Sequence, residues 1–233
     1  MWIAVLDDDP ADAQSIRAAL DGQAYDLRVF AKKADLAASL RKTTFDLLIL
    51  DWNLPEGTGL DIVTLVKRTV PSPPPILMVT ARVDEADVVK ALEHGVDDYI
   101  AKPISPPLLL ARVRALLRRA FPALPNGMER YGGYEFDLVK SEVRFDGETT
   151  PALTPKEFAL SLLLFRNANR ALSRDYIASS VWGWNAELSS RTMDSHISKL
   201  RLKMGLRPQN GVRLSPVYGF GYRLETLSRG GET

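Results

Sequence analysis

The sequence predicts an α/β fold, a doubly wound five-stranded parallel sheet, followed by a smaller α+β domain. Three observations lead there. Short apolar runs alternate with amphipathic stretches through five units in the first half. A cluster of prolines and glycines between Phe121 and Gly133 then interrupts the alternation. Beyond it the pattern changes to two short strands, three helices and a terminal hairpin.

The elements follow in order. Trp2–Leu6, Leu47–Leu50 and Ile76–Val79 are nearly continuous apolar segments, as strands buried on both faces should be. Leu27–Phe30 and Tyr99–Ile100 complete the five strands. Helical patterns fill the gaps at Asp12–Leu20, Lys33–Leu40, Gly59–Val66, Ala86–Leu92 and Leu108–Leu117. The expected divisions are a first domain over 1–120, a linker over 121–132, a second domain over 133–227 and a tail over 228–233. In the second domain, Tyr134–Asp137 and Val143–Phe145 read as short strands, with Asp146-Gly147 as a turn. Thr154-Pro155-Lys156-Glu157 has the form of a helix start, with Thr154 as N-cap, Pro155 first and Glu157 reaching back. Helices at Pro155–Phe165, Arg174–Trp182 and Arg191–Met204 precede a hairpin over Val212–Leu224, the ingredients of a winged helix.

Composition narrows the chemistry. Among 233 residues, 45% are hydrophobic and 25% charged, which is ordinary for a soluble protein. The absence of cysteine excludes disulfides, thiolate metal sites and a cysteine nucleophile. The opening residues lack the basic head and cleavage site of a secretory signal, and no apolar run reaches the roughly 18 residues of a membrane span. A cytoplasmic protein without a membrane partner is expected. The net charge of +1 divides unevenly: 15 basic against 17 acidic groups in residues 1–120 give −2, and 15 against 12 in 121–233 give +3. Between Arg166 and Arg223, ten basic residues face only Asp175, Glu187 and Asp194, a balance suited to a polyanion.

Parallel sheets bind ligands beyond the carboxyl ends of their strands. Asp7, Asp8 and Asp9 end the first strand, Asp51 the third and Thr80 the fourth, while Lys102 follows the fifth. Aspartates at strand ends also serve as plain turn formers, but here four strand ends carry charged or hydroxyl groups together. Carboxylates of Asp8 and Asp51, with Asp7 holding a ligated water, would suit Mg2+, which prefers oxygen ligands. Asp51 would then be a nucleophile toward phosphorus, with Thr80 and Lys102 supplying a hydroxyl and a positive charge to the phosphoryl oxygens.

The third helix of the second domain has an apolar stripe of Met193, Ile197, Leu200 and Met204. The opposite face is centred on Arg191, Ser195, Ser198 and Leu202, with Lys199 on its flank. Such a face fits a DNA major groove; a solvated amphipathic helix would share the pattern.

Specific segments carry a family resemblance. Ile3-Ala4-Val5-Leu6-Asp7-Asp8-Asp9, Asp51-Trp52-Asn53-Leu54-Pro55, Gly57-Thr58-Gly59, Thr80-Ala81 and Gly95 to Pro103 resemble the motifs of bacterial receiver domains. Leu153 to Phe158, Val181-Trp182-Gly183, Ser190 to Arg201 and Gly219 to Leu224 resemble the winged helix-turn-helix domain of OmpR/PhoB-type response regulators. The resemblance implies phosphorylation of Asp51 by a sensor histidine kinase, magnesium binding that includes the Asn53 backbone carbonyl, and inward rotation of Tyr99 when Thr80 moves. It further implies base contacts from Ser195 and Lys199, phosphate contacts from Arg191 and Arg201, pairing into a homodimer on promoter DNA, and RNA polymerase as a partner.

Two positions depart from the family pattern. Tyr218 stands where an arginine usually precedes the first wing glycine, so weaker or differently placed wing contact is expected. The pairing face retains Lys90, Asp98 and Arg112, but Leu108 stands where an acidic partner for Lys90 is expected, which predicts altered or weaker dimerisation. Competing classes are a constitutive DNA-binding regulator whose receiver only dimerises, and a small phosphatase. The full set of pocket residues disfavours the former, and the lack of a recognisable substrate cleft disfavours an enzyme.

Overall fold

A computed structural model describes residues 1–82, 84–121, 127–183 and 190–227. The expected tail over 228–233 lies outside the described residues. The chain forms two compact units, Met1–Pro122 and Ala123–Thr233.

The first unit runs β1 (Trp2–Leu6), α1 (Pro10–Leu20), β2 (Asp26–Phe30), α2 (Lys33–Leu40) and β3 (Leu47–Asp51), then a small ribbon of β4 (Asn53–Leu54) and β5 (Gly57–Thr58). It continues with α3 (Gly59–Thr69), β6 (Ile76–Thr80), α4 (Glu85–Glu93), β7 (Asp98–Ala101) and α5 (Pro106–Ala120). The five long strands form one sheet in the order β2-β1-β3-β6-β7, with every pair parallel. Ile3, Val5, Leu47, Ile49, Leu77, Val79 and Ile100 point to one face and pack against Ile16 and Leu20 of α1 and Leu109, Val113 and Leu116 of α5. Strand alternation sends Ala4, Leu6, Leu48, Leu50 and Met78 to the other face, and they are buried too. A sheet covered on both sides leaves its strand ends as the place where polar side chains can meet.

The turn into the third helix is shaped by Gly59. Its N–H donates to the Trp52 carbonyl, and a Cβ there would lie 2.2 Å from the Asp51 carbonyl oxygen. Only glycine allows the chain after Asp51 to fold back so closely.

The second unit begins with β8 (Met128–Tyr131), β9 (Tyr134–Asp137), β10 (Glu142–Phe145) and β11 (Glu148–Thr149), an antiparallel sheet in the order β11-β10-β9-β8. The strand β8 falls inside the stretch that the sequence marks as linker. It forms because Glu129 turns into the core and pairs with Arg166, while Arg130 and Tyr131 complete the ladder with β9. Then come α6 (Pro155–Arg166), β12 (Ala171–Ser173), α7 (Arg174–Trp182), α8 (Ser190–Lys203), a 3-10 turn at Pro208–Asn210, β13 (Val212–Val217) and β14 (Gly221–Thr226). The expected capping box starts α6: the Glu157 N–H donates to Thr154 Oγ1, and the Thr154 N–H donates to Glu157 Oε2. The β13–β14 hairpin takes β12 as a third strand. Gly221 is required at that junction, since a Cβ would lie 2.0 Å from the Leu172 carbonyl oxygen. Phe136, Phe158 and Phe165, with Tyr134, form the aromatic centre between the first sheet and α6.

Candidate functional site

At the carboxyl edge of the parallel sheet, Asp7, Asp8 and Asp51 each place a carboxylate oxygen within 4.8 Å of the others. Asp7 and Asp51 are buried and Asp8 is exposed. Backbone bonds hold them: the Asp9 N–H donates to Asp7 Oδ1 at 3.0 Å, and the Asn53 N–H donates to Asp51 Oδ1 at 3.2 Å. Asp9 caps α1 by accepting from the Ala11 N–H, so the third aspartate sets the helix start and leaves the pocket to the first two.

Lys102 reaches in from the end of β7, its own N–H bonded to the Thr80 carbonyl. Its Nζ lies 3.0 Å from Asp7 Oδ2, 2.9 Å from Asp51 Oδ2 and 2.7 Å from Asp12 Oδ2. Burial works against the ammonium charge, but hydrogen bonds to Asp12, Asp51 and Asp7 overcome it and raise its pKa well above that of a free lysine. Burial pushes the Asp7 carboxyl up, and the Lys102 bond only partly offsets that. One lysine therefore pairs with three carboxylates, Asp7, Asp12 and Asp51, while Asp8 adds a further one beside Asp7 and Asp51, and an excess of negative charge remains. A hard divalent cation suits such a set.

Thr80 is fully buried, and its Oγ1 accepts from the Arg82 N–H at 3.1 Å. Tyr99 is half-buried, and its hydroxyl is shielded from solvent without a hydrogen-bond partner among the described residues. Burial, reinforced by Asp87, raises that phenol's pKa, with Arg82 opposing. An unpaired buried hydroxyl costs about 1–3 kcal/mol. Arg82, which the sequence reading did not single out, donates to Asn53 Oδ1 at 3.0 Å and to Asp87 at 3.3 Å, with its guanidinium over the Trp52 ring. Asp12 was likewise missed. It lies one turn into α1, and its only sequence signal was its place behind the Asp9-Pro10 helix start.

On the outer side of this unit, Lys90, Leu108 and Arg112 are exposed. Arg112 pairs with Asp98 at 3.3 Å within the same chain, joining α5 to β7. Val89 and Leu92 of α4 are exposed apolar residues near Lys90 in sequence.

In the second unit, Met193, Ile197, Leu200 and Met204 are buried, which turns Arg191, Ser195, Ser198, Lys199 and Leu202 outward. Ser195 Oγ donates to the Arg191 carbonyl. Arg201 is half-buried, and its Nε donates to the Leu214 carbonyl of β13 at 2.9 Å, tying α8 to the hairpin. Asp194 receives Arg174 Nη2 at 2.7 Å and the Tyr222 hydroxyl, so α7, α8 and β14 meet at one carboxylate. The Tyr222 and Arg174 bonds hold the Asp194 carboxyl below its ordinary range. His196 stands edge-on to half-buried Trp182, and its Nδ1 bonds the Thr192 carbonyl. Tyr218 is fully exposed at the hairpin tip.

A parallel sheet that presents carboxylates and a lysine at its strand ends defines the receiver class of signalling domains, here joined to a winged helix. Residues 3–114 match the family model for the response regulator receiver domain, and residues 148–224 match that for transcriptional regulatory protein, C terminal. The DNA-binding response regulator MtrA of Mycolicibacterium smegmatis is 36% identical over 95% of this chain and 95% of its own. The phosphate regulon transcriptional regulatory protein PhoB of Rhizobium meliloti is 34% identical over 96% of this chain and 98% of its own. The chain belongs to the OmpR/PhoB-type family of two-component response regulators. Among the described residues no helix is long and apolar enough to cross a membrane.

Proposed function

We propose that the chain is a cytoplasmic, phosphorylation-controlled transcriptional regulator that accepts a phosphoryl group on Asp51 from a sensor histidine kinase and binds promoter DNA as a dimer. The observation that carries this reading is the convergence of Lys102 Nζ on both Asp7 and Asp51 beside Asp8. Asp7, Asp8 and Asp51, with the Asn53 carbonyl, are the groups that would hold Mg2+, which when bound neutralises charge on the phosphoryl oxygens.

An Asp51 carboxylate oxygen attacks phosphorus, and the P–N bond of a phosphohistidine breaks, its electron pair returning to the imidazole nitrogen. Lys102 exchanges its bond to Asp51 for one to a phosphoryl oxygen. Thr80 gives its hydroxyl hydrogen to another, and its movement opens room for Tyr99 to turn. That turn brings change to the β7 edge, where Asp98 and Arg112 sit with Lys90 and Leu108 on the neighbouring helices. Pairing of two receivers through this face brings two winged helices to adjacent half-sites, where the second binds at high effective concentration. On DNA, Ser195, Ser198 and Lys199 face base edges, Arg191 and Arg201 the phosphates, and Tyr218 the backbone beside the minor groove. RNA polymerase is the expected downstream partner.

Incubation with a small phosphodonor and Mg2+, followed by intact mass, should show one added phosphoryl group. Asp51→Asn should show none. An unmodified wild-type chain, under conditions in which a known receiver is labelled, would overturn the phosphorylation reading and leave a constitutive regulator.

A further inference from the structure

We propose that Leu202 is a specificity-determining residue that reads the methyl group of a thymine in the major groove; the inference rests on the DNA-binding reading above. Leu202 is 85% exposed, on a helix whose other large apolar residues, Met193, Ile197 and Leu200, are buried. It lies on the face opposite that stripe, in line with Ser195 and Ser198 at helical spacings of three and four. Its sequence neighbours are both fastened: Arg201 to the Leu214 carbonyl, and Lys203 to Glu157 and to the Ala152 carbonyl. The helix therefore presents the leucine outward from a backbone fastened on both sides of it.

The chemistry of the surrounding face selects the occupant. Small serines permit close approach, and Arg191 and Lys199 carry charge complementary to a polyanion. Base edges in the major groove offer hydrogen-bond donors and acceptors that a leucine cannot satisfy, with one apolar exception, the C5 methyl of thymine. Against guanine, adenine or the cytosine amino group, Leu202 would remove water from a polar atom and give nothing back, so it discriminates by penalty as well as by contact. The preference would be for thymine at the base pair nearest the C-terminal part of α8.

The test uses the full-length, phosphodonor-treated chain and a duplex recovered by selection from random DNA with that same protein. Each thymine of the recovered half-site is replaced in turn by deoxyuridine, which removes one methyl group and leaves pairing and charge alone. Wild type should lose about fourfold in affinity at one thymine, the amount expected for one buried methyl. Leu202→Ala should be indifferent to uridine at that position, keep wild-type responses at the others, and keep the same melting temperature and salt dependence. A flat wild-type profile would overturn the inference, and so would a profile unchanged by Leu202→Ala. Failure to recover any preferred sequence would overturn the DNA-binding reading and this inference with it.

Discussion

The two units handle charge in opposite ways. In the first, Asp7, Asp12 and Asp51 crowd around one ammonium with Asp8 beside them, and Tyr99 keeps a hydroxyl from water with no partner among the described residues. In the second, carboxylates are paired one by one, Glu129 with Arg166, Glu157 with Lys203, Asp194 with Arg174 and Tyr222, although the buried Arg223 Nε has no partner among the described residues. The first arrangement has an excess of negative charge that a bound divalent cation would relieve, so that an anionic phosphoryl group could approach. The second fastens three helices and a hairpin and leaves an outward face unchanged, which is what a reader requires. A signal would then alter how the readers are brought together, and leave the reading surface as it is.

The largest expected effect tests the crowded side. Asp51→Asn removes the carboxylate proposed as phosphoacceptor, and phosphoryl incorporation measured by intact mass should fall to background. A smaller effect tests the matched side. Burial works to raise the Glu157 carboxyl, but the Lys203 bond and the Thr154 N–H overcome it and hold it below the ordinary glutamate value. A carboxyl depressed in the folded state stabilises fully above its unfolded value near 4.5, and that contribution is lost as pH falls through the lower folded value. Lys203→Met should destabilise the second unit by about 2 kcal/mol near neutral pH, because it leaves a buried carboxylate short of a partner. The gap from wild type should narrow in acid, and denaturant titrations at neutral and acidic pH would show a constant gap if the pair contributes nothing.

The smallest effect lies at the hairpin tip. Tyr218→Arg adds a positive charge where the chain carries a fully exposed tyrosine. Affinity for the selected duplex should rise, and the slope of log affinity against log salt should steepen by about one counterion. An unchanged slope would remove residue 218 from the DNA interface.

Much of this was legible in the sequence because burial leaves a simple signature. Trp2–Leu6, Leu47–Asp51 and Ile76–Thr80 are buried on both faces, so their apolar runs mark strands, and the polar residue ending each run marks the pocket. Thr154 and Glu157 announce α6 because both ends of a capping box are local. The strand Met128–Tyr131 gave no such signal. Its Glu129 and Arg130 look solvated until Arg166, 37 residues on, supplies the partner that lets Glu129 be buried. Ala171–Ser173 is a strand only because Gly221–Arg223 pairs with it. Likewise Asp12 joins the pocket through Lys102, and Asp194 becomes an anchor through Arg174 and Tyr222, contacts that local spacing does not encode.

The contrast between switch and reader is tested most directly by comparing one and two half-sites. Affinity of the full-length protein would be measured for duplexes carrying a single half-site and a properly spaced pair, with and without phosphodonor, for wild type and Asp51→Asn. Phosphodonor should strengthen wild-type binding to the paired site and leave single-site binding nearly unchanged, and in Asp51→Asn it should change neither. Equal enhancement on both duplexes would contradict it, because the signal would then act on the reading surface itself rather than on pairing.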